Sequence, residues 1–416
     1  MKKLLLLFCC CWPLLCPAQD SLSVMFYNLY RFPVNVPANR EFLLKEIVNE
    51  VRPDLLLACE IVDHDGAQRI LQASFRGLPD TYAAPDFQYC PTATDDPLQQ
   101  MAYYNTRKLV LLHQEALHTL VRDINHYSFM LNNPDPGRDT VFLDAFVTHL
   151  KAGDGPSDSW LRATMADTFV QALRNIPPGH HVLLAGDFNF YDDQEPAYLI
   201  MTDTDNPVVM VDPIGRPGDW HNNPDFKDIH TQATRKTLGG FGIGGASGGM
   251  DDRFDFILMS KNLANDDQLY YLPGSYRVVG NNGSCFDRAI DNDSCFGLYS
   301  LSFRHILFQM SDHAPVVMTL LTTNHFPTSV SGIPGAQAAA ISFPGGNHAG
   351  RHLKVLLERR APAANDILVI YDISGRVLKQ MNCPVFQDTY TINTAAWAPG
   401  MYFIRFRDEV AKFSRD

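Results

Sequence analysis

The chain has 416 residues, 46% of them hydrophobic and 19% charged, with a formal net charge of −12. That apolar content is enough for a sizeable core in two or three folding units and excludes a disordered or fibrous chain. The acidic balance excludes a protein that holds polyanions by bulk charge, so a phosphate-bearing substrate would have to be drawn in by a metal and a few local basic groups.

Residues 1–18 differ from the rest: Lys2 and Lys3, a Leu/Phe/Cys run, then Cys16-Pro17-Ala18. A basic start, a short apolar stretch and a small residue read as a secretory signal cleaved after Ala18, too short for a membrane span. Lipidation at Cys16 is the weaker reading, because bulky Leu15 precedes it. Removing this segment takes away two lysines and no acids, which makes the mature chain two charges more acidic than the whole. No later stretch is apolar enough to cross a bilayer, so the mature chain is expected to be soluble. Of nine cysteines, four lie in the signal; Cys285 and Cys295 close a short polar loop and are expected to form a disulfide in an oxidising compartment. There is no C-x-x-C pair to suggest a structural zinc.

In chain order, Ser21 to Tyr30 alternates apolar and polar residues and predicts a first strand, ending near Asn28. Asn39 is expected to cap a helix whose apolar positions are Phe42, Leu43, Ile47, Val48 and Val51, stopped by Arg52-Pro53. Asp54 to Ile61 predicts a buried second strand with Glu60 near its end. Met101–Asn105 and Leu109–His113 read as paired strands around a turn at Thr106-Arg107. Thr140–His149 is another strand, followed by a helix capped by Ser157 or Asp158, with Leu161, Met165, Phe169, Val170 and Leu173 on one face. After Pro177-Pro178 comes the run from His181 to Phe190, an apolar strand that stops at Gly186 and presents Asp187 and Asn189 on one side with Phe188 on the other. Repeated strand, helix, strand order predicts an α/β class.

Beyond Asp192-Asp193 the chain is irregular, including Asp219-Trp220-His221-Asn222-Asn223. Gly239 to Gly249 lacks the Gly-Lys-Ser/Thr ending of a phosphate-cradling loop and reads as a mobile segment. Asp252 to Ser260 predicts a strand with Asp255 near its start, and Met310-Ser311-Asp312-His313-Ala314-Pro315 precedes the strand Val316–Leu321. From Thr322 to about Gly350 the composition reads as a linker. The remainder, with strands at Ile367–Asp372, Arg376–Gln380, Tyr390–Ile392 and Gly400–Phe406, reads as a small all-β module without chemistry of its own.

Strand ends therefore deliver Asn28, Glu60, His149, Asp187 with Asn189, Asp255, and Asp312 with His313. Carboxylates and amide oxygens without thiolates suit a hard divalent cation such as Mg²⁺ or Mn²⁺, and the histidines suit proton transfer.

Taken together, Tyr27-Asn28, Pro53-Asp54 to Glu60, Thr148-His149-Leu150, Gly186-Asp187-Phe188-Asn189, Arg253 to Leu258 and Ser311-Asp312-His313-Ala314-Pro315 resemble the motif series of the endonuclease/exonuclease/phosphatase superfamily, over about residues 20–322. The resemblance implies a four-layer sandwich of two mixed sheets flanked by helices and a Mg²⁺- or Mn²⁺-dependent phosphoester hydrolase. It implies Glu60 as main metal ligand with Asn28 and Asp312 beside it. Asp187 and Asn189 would position water and phosphate, His149 would donate to a phosphate oxygen, and Asp255 would orient His313. Whether Asp187 or His313 is the base stays open. Val369 to Val377 and Pro399-Gly400-Met401-Tyr402 resemble the C-terminal sorting domain of type IX secretion substrates in Bacteroidetes. That implies export through the periplasm to the cell surface or beyond by the outer-membrane secretion machinery.

The expected organisation is a signal at 1–18, a catalytic domain at 19–322, a linker at 323–350 and a sorting domain at 351–416, in a monomer. The expected function is a secreted metal-dependent phosphodiesterase acting first on nucleic acid. A sphingomyelinase-like or small-molecule phosphodiesterase is the alternative, with Tyr270-Tyr271-Leu272-Pro273 read equally as a membrane-touching tip or as a packed segment. A surface-binding protein on a dead scaffold is the third reading, against which the completeness of the motif series weighs.

Overall fold

In a computed structural model the described residues are 19–91, 98–133, 140–236, 244–327, 340–344, 347–358, 366–372, 377–383, 389–406 and 409–415. The signal reading at 1–18 and the tip of the glycine-rich segment, 237–243, lie outside them. The chain divides into two compact units, the first ending at Pro327.

The first unit opens with β1 (Asp20–Phe32), α1 (Arg40–Val51), β2 (Leu55–Ile61), α2 (His64–Arg69), β3 (Tyr82–Ala83), β4 (Gln99–Asn105), β5 (Leu109–Leu117), β6 (Ile124–Leu131) and β7 (Phe142–His149). It continues with α3 (Pro156–Leu173), β8 (His181–Asp187), α4 (Pro196–Thr202), β9 (Met210–Val211), β10 (Asp255–Ser260), β11 (Leu269–Tyr271), β12 (Arg277–Val278), α5 (Leu301–Met310) and β13 (Val316–Thr322). One sheet runs β11-β13-β1-β2-β4-β3, with β12 also on β13, and the other runs β5-β6-β7-β8-β10-β9. Both mix parallel and antiparallel pairs: β1/β2 and β7/β8 are parallel, while β1/β13 and β8/β10 are antiparallel.

Strand parity builds the layers. In β8, Leu183 and Ala185 join a core shared with Ala145, Val147, Ile257 and Met259 of the same sheet and Met25, Leu57 and Val317 of the other. The alternate residues Val182 and Leu184 instead pack with Phe146, Phe256, Met165 and Phe169 of the α3 side. With α1 and α5 in contact on the first sheet and α3 and α4 on the second, the architecture is the expected four-layer α/β sandwich.

Three local expectations are corrected. β4 and β5 do not form a hairpin: β4 lies between β2 and β3, and β5 pairs with β6. The reason is anchoring on either side of the turn. Asn105 Nδ2 donates to Asp54 and Asp80 in the first sheet, while Asn132 N donates to Lys108 O beside β6. The helix α3 is capped by Gly155 with Pro156 at its first position, and neither Ser157 nor Asp158 caps it; Asp158 pairs with Lys151 at 2.9 Å. In α1, Phe42 is 58% exposed while Leu44, Ile47 and Val48 are buried, and Asn39 is left-handed without a side-chain cap bond. Of the two readings of Tyr270-Tyr271-Leu272-Pro273, the packed one describes Tyr270 and Tyr271, which belong to β11 on the β13 edge with Tyr271 buried, while Leu272 is 38% exposed.

Cys285 and Cys295 are disulfide-bonded. Their loop braces the segment before β10: Ile290 N donates to Thr234 O, and Met250 bridges Phe286. No helix among the described residues is long and apolar enough to cross a membrane.

The second unit holds β14 (Ala340–Ser342), β15 (His348–Ala349), β16 (His352–Glu358), β17 (Asp366–Asp372), β18 (Val377–Cys383), β19 (Thr389–Asn393), β20 (Gly400–Phe406) and β21 (Glu409–Arg415). They form sheets of order β14-β16-β19 and β15-β21-β20-β17-β18. Leu353, Val355, Leu368, Ile370, Ile392, Ile404 and Phe413 make their core. β14 and β15 fall inside the stretch read as a linker.

Candidate active site

The site lies where strands of both sheets end on the inner side of the sandwich. His149, Asp187 and Asp255 share the parity of the residues that face the inter-sheet core. They also share one row, with His149 opposite Asp187 and Asp255 opposite Asp187 in the strand register. Continuing the core pattern by one more inward position therefore places an imidazole and two carboxylates side by side. Gly186 permits this closeness, since a Cβ there would stand 2.4 Å from Thr148 O and 2.7 Å from Thr148 Cγ2.

The first sheet supplies Asn28 from β1 and Glu60 from β2. Both strand ends leave regular geometry, with φ of 46° and 49° at Tyr30 and Arg31 and 61° at Glu60. Such conformations cost energy and persist where the surroundings impose them. Here Arg40, buried in α1, holds the carbonyls of Leu29, Tyr30 and Met310 at 2.8, 2.7 and 2.6 Å. Ser311 Oγ donates to Asn28 O at 2.7 Å, which ties the Ser311–Pro315 turn to β1.

Asn28 Nδ2 donates to Glu60 Oε1 at 2.9 Å and to Asp187 Oδ2 at 3.0 Å, while its Oδ1 accepts from Tyr30 N at 2.9 Å. Asn28 thus bridges two carboxylates with its NH₂ group, while its oxygen accepts from the backbone with one of its two lone pairs. Glu60 Oε2 accepts from Arg31 N at 2.9 Å. Glu60, His149 and Asp187 each offer a ligand atom, and these atoms lie within 4.8 Å of one another. Asp312 Oδ2 accepts from Ala246 N at 2.7 Å, and its buried Oδ1 has no partner among the described residues. Gly245, at φ +122°, makes room for this contact, because a Cβ there would meet Arg235 and Asp312.

His313 is held at both nitrogens. Its Nδ1 lies 2.7 Å from Asp255 Oδ2, and its Nε2 lies 3.6 Å from Asp187 Oδ2 and 3.1 Å from Gln232 Nε2. Asn189 N donates to Asp187 Oδ1 at 3.2 Å, and Asn189 Nδ2 donates to Leu150 O at 3.3 Å. Seven of the eight residues singled out in the sequence are thus joined through direct contacts or a shared strand row, and Asp312 adjoins His313 in the Ser311–Pro315 turn.

Burial, with Asp255 and Glu60 nearby and opposed by His313, pushes Asp187 up to about 7. Burial and then the Asp312 charge raise Glu60. His149 is lowered well below the usual imidazole range by burial, then by Arg122 and His313. Burial disfavours a charged His313, but the Asp255 and Asp187 carboxylates outweigh it and hold it well above that range. Crowded carboxylates with an unpartnered buried Asp312 oxygen fit a hard divalent cation, which would relieve their mutual repulsion.

Sequence reasoning missed three contributors. Thr231 Oγ1 accepts from Asp255 N at 3.1 Å. Gln232 touches His313. Arg122 donates to Leu150 O at 3.2 Å, and its field reaches both Glu60 and His149. None belongs to a recognisable motif; the topology alone brings them in.

Residues 352–415 match the secretion system C-terminal sorting domain. No curated protein matches the chain. Among solved structures, the human Nocturnin catalytic domain is similar at 18% identity and TM-score 0.45, covering 73% of this chain and 98% of that one. An endonuclease/exonuclease/phosphatase family protein from Bacteroides thetaiotaomicron is 14% identical with TM-score 0.44, covering 73% and 99%. A mannosyl-6-phosphatase from the same organism is 14% identical with TM-score 0.43, covering 72% and 99%. Residues 25–313 match the endonuclease/exonuclease/phosphatase family, and the chain belongs to that family.

Proposed function

We propose that this protein is an exported, divalent-metal-dependent phosphoester hydrolase. The observation that carries the reading is the inner row His149–Asp187–Asp255 facing the Asn28–Glu60 clamp, with His313 between the two aspartates. Glu60 and Asp187 would hold Mg²⁺ or Mn²⁺, with the free Asp312 oxygen and His149 beside them. When bound, the cation supplies polarisation of the phosphoryl oxygens and offsets developing negative charge.

The chain's own groups divide the remaining work. Asp187 takes the proton of the attacking water as its oxygen bonds to phosphorus and the ester oxygen departs with the bonding pair. His313, kept charged and oriented by Asp255, faces a phosphoryl oxygen as a donor. His149, kept neutral by burial, is a second donor, and Asn189 positions the phosphate side of Asp187.

A phosphodiester is the substrate class that the motif series favours, with nucleic acid first and lipid or small phosphoesters next. The sorting domain addresses the protein to the secretion machinery of the outer membrane, with a periplasmic route from the signal read at residues 1–18. The test is a panel of DNA, RNA, sphingomyelin and bis(p-nitrophenyl) phosphate with Mg²⁺, Mn²⁺ or excess EDTA, using wild type and Asp187→Asn. Hydrolysis that needs metal and is lost in Asp187→Asn supports the reading; full activity in EDTA rules it out.

A further inference from the structure

Arg40 opens α1 and is 1% exposed, yet its hydrogen bonds all go to main-chain carbonyls, and among the described residues no carboxylate pairs with it. A buried charge without a close counter-charge is costly, so a guanidinium kept in such a place calls for a reason. Its Nη1 donates to Leu29 O and Met310 O, its Nη2 to Tyr30 O, and its Nε to Asn35 O at 3.2 Å.

Two of these oxygens belong to consecutive peptide units, neither of them cis. In a trans peptide the C=O and the N–H point to opposite sides of one plane. The unit that carries Leu29 O also carries Tyr30 N–H, which donates to Asn28 Oδ1 at 2.9 Å. The next unit carries Tyr30 O and Arg31 N–H, and that N–H donates to Glu60 Oε2 at 2.9 Å. Arg40 therefore grips from behind the same two planes that hold Asn28 and Glu60 in front. Both planes lie in the left-handed stretch at Tyr30 and Arg31, a conformation that side chains beyond Cβ disfavour unless something imposes it. Because hydrogen bonds in series polarise one another, a cation on each oxygen also makes the N–H on the far side a better donor.

The third oxygen brings in the other half of the site. Met310 O ends α5, where a cation is favourable, and Ser311, Asp312 and His313 follow directly. Ser311 Oγ to Asn28 O is a second tie between the same two segments. Burial and then Arg235 bring Arg40 down to about 10, against the pull of Tyr27, Asp312 and Glu60, so the group is charged at neutral pH. One planar fork spans the end of β1, the end of α5 and the loop at Asn35. A lysine ammonium is a point charge and does not span them.

We propose that Arg40 is a positioning residue for the divalent cation: by fixing the peptide planes behind Asn28 and Glu60 and tying them to the turn that carries Asp312, it sets the cation's affinity without touching it. The inference rests on the metal-dependent reading above and concerns how that site is held together.

The experiment titrates Mn²⁺ calorimetrically into the metal-stripped protein, well below the thermal midpoints, for wild type, Arg40→Lys and Leu44→Ala. Arg40→Lys keeps the charge and loses the fork. Its Kd for Mn²⁺ is expected to rise on the order of 10- to 100-fold, the usual effect of losing a group that holds a metal ligand from behind. Its kcat at saturating Mg²⁺ should fall far less than the Mg²⁺ requirement shifts. Leu44→Ala removes a buried side chain from the same helix and should lower the thermal midpoint while leaving Kd unchanged. If Arg40→Lys does not fold, Ser311→Ala takes its place, because it cuts the other tie between the two segments and carries the same expected rise. Wild-type affinity in the variant that folds, or an equal rise in Leu44→Ala, overturns the role of Arg40 while leaving the hydrolase reading intact. A wild type that binds no Mn²⁺ overturns both.

Discussion

Asp187 and Asp255 stand directly opposite each other in the β8/β10 register and hold His313 between them, Asp255 at 2.7 Å from Nδ1 and Asp187 at 3.6 Å from Nε2. The strand pairing itself separates the two roles, since only the Asp255 contact is a hydrogen bond. Asp255→Asn keeps the shape but removes the charge that orients and charges His313. It is expected to lower kcat on the order of 10²-fold. Because it acts through His313, the double variant with His313→Ala should be little worse than His313→Ala alone. Losses that multiply would show that Asp255 acts independently.

Asp187 links the site to stability. Its carboxyl is held up to about 7 chiefly by burial, against about 3.9 in an unfolded chain. Between these values the folded protein binds a proton that the unfolded chain lacks, so stability falls as pH rises through that window. Glu60, Asp251 and Asp252 are also raised and act in the same direction. In EDTA, the thermal midpoint of wild type relative to Asp187→Asn should therefore decline from pH 4 to 7. A gap that stays constant over this range would mean that Asp187 is ionised throughout.

Much of this was legible because apolar runs with clean parity specify strands. In β8, the same alternation that buries Leu183 and Ala185 between the sheets aims Asp187 inward. What was not legible depends on partners distant in sequence. The turn at Thr106-Arg107 suits a hairpin, and only the Asn105–Asp54 and Asn132–Lys108 bonds send its two strands to different sheets. Gln232 sits in an irregular stretch without a motif and gains its place from bridges to Asp252 and His313. Asn28 was legible as a site residue, but its bond from Tyr30 N–H was not, because that bond follows from a left-handed backbone that no local pattern signals.

The disulfide is expected to support activity at a distance. Cys285–Cys295 closes the loop whose Ile290 N–H holds Thr234, and Thr234 in turn donates from N to Asp312 O and from Oγ1 to Ser311 O. Replacing both cysteines by serine should lower stability by about 2–4 kcal/mol, read as a lower thermal midpoint, and should lower kcat/KM by weakening the hold on Asp312 and Gln232. A drop in midpoint with unchanged kcat/KM at low temperature would confine the bridge to a structural part.

The catalytic unit should work without its tail. The first unit ends at Pro327, and every group of the site lies within it. A chain of residues 19–327 is expected to retain metal-dependent hydrolysis and, expressed behind its signal, to fail to reach the cell surface. Loss of activity on this truncation would make the second unit part of the catalytic body.

Glu60 and His313 are assigned different work, and a metal titration separates them. Glu60→Gln keeps size and one oxygen but removes the charge that sits within ligand reach of Asp187 and His149, so it should weaken cation binding and leave activity partly recoverable at high Mg²⁺. His313→Ala removes a charged donor that touches no atom of that ligand set more closely than the 3.6 Å to Asp187, so its loss, on the order of 10²- to 10⁴-fold, should not be recovered by added metal. Asn28→Ala gives a third behaviour. It frees Glu60 and Asp187 from the NH₂ group that bridges them at 2.9 and 3.0 Å, leaving two buried carboxylates in mutual repulsion, so it should destabilise the metal-free protein more than the metal-loaded one. The measurements are kcat/KM across Mg²⁺ concentrations and thermal midpoints with and without EDTA. Rescue of His313→Ala by metal without rescue of Glu60→Gln would reverse the two assignments, and equal destabilisation of Asn28→Ala in both states would remove the clamp from the account.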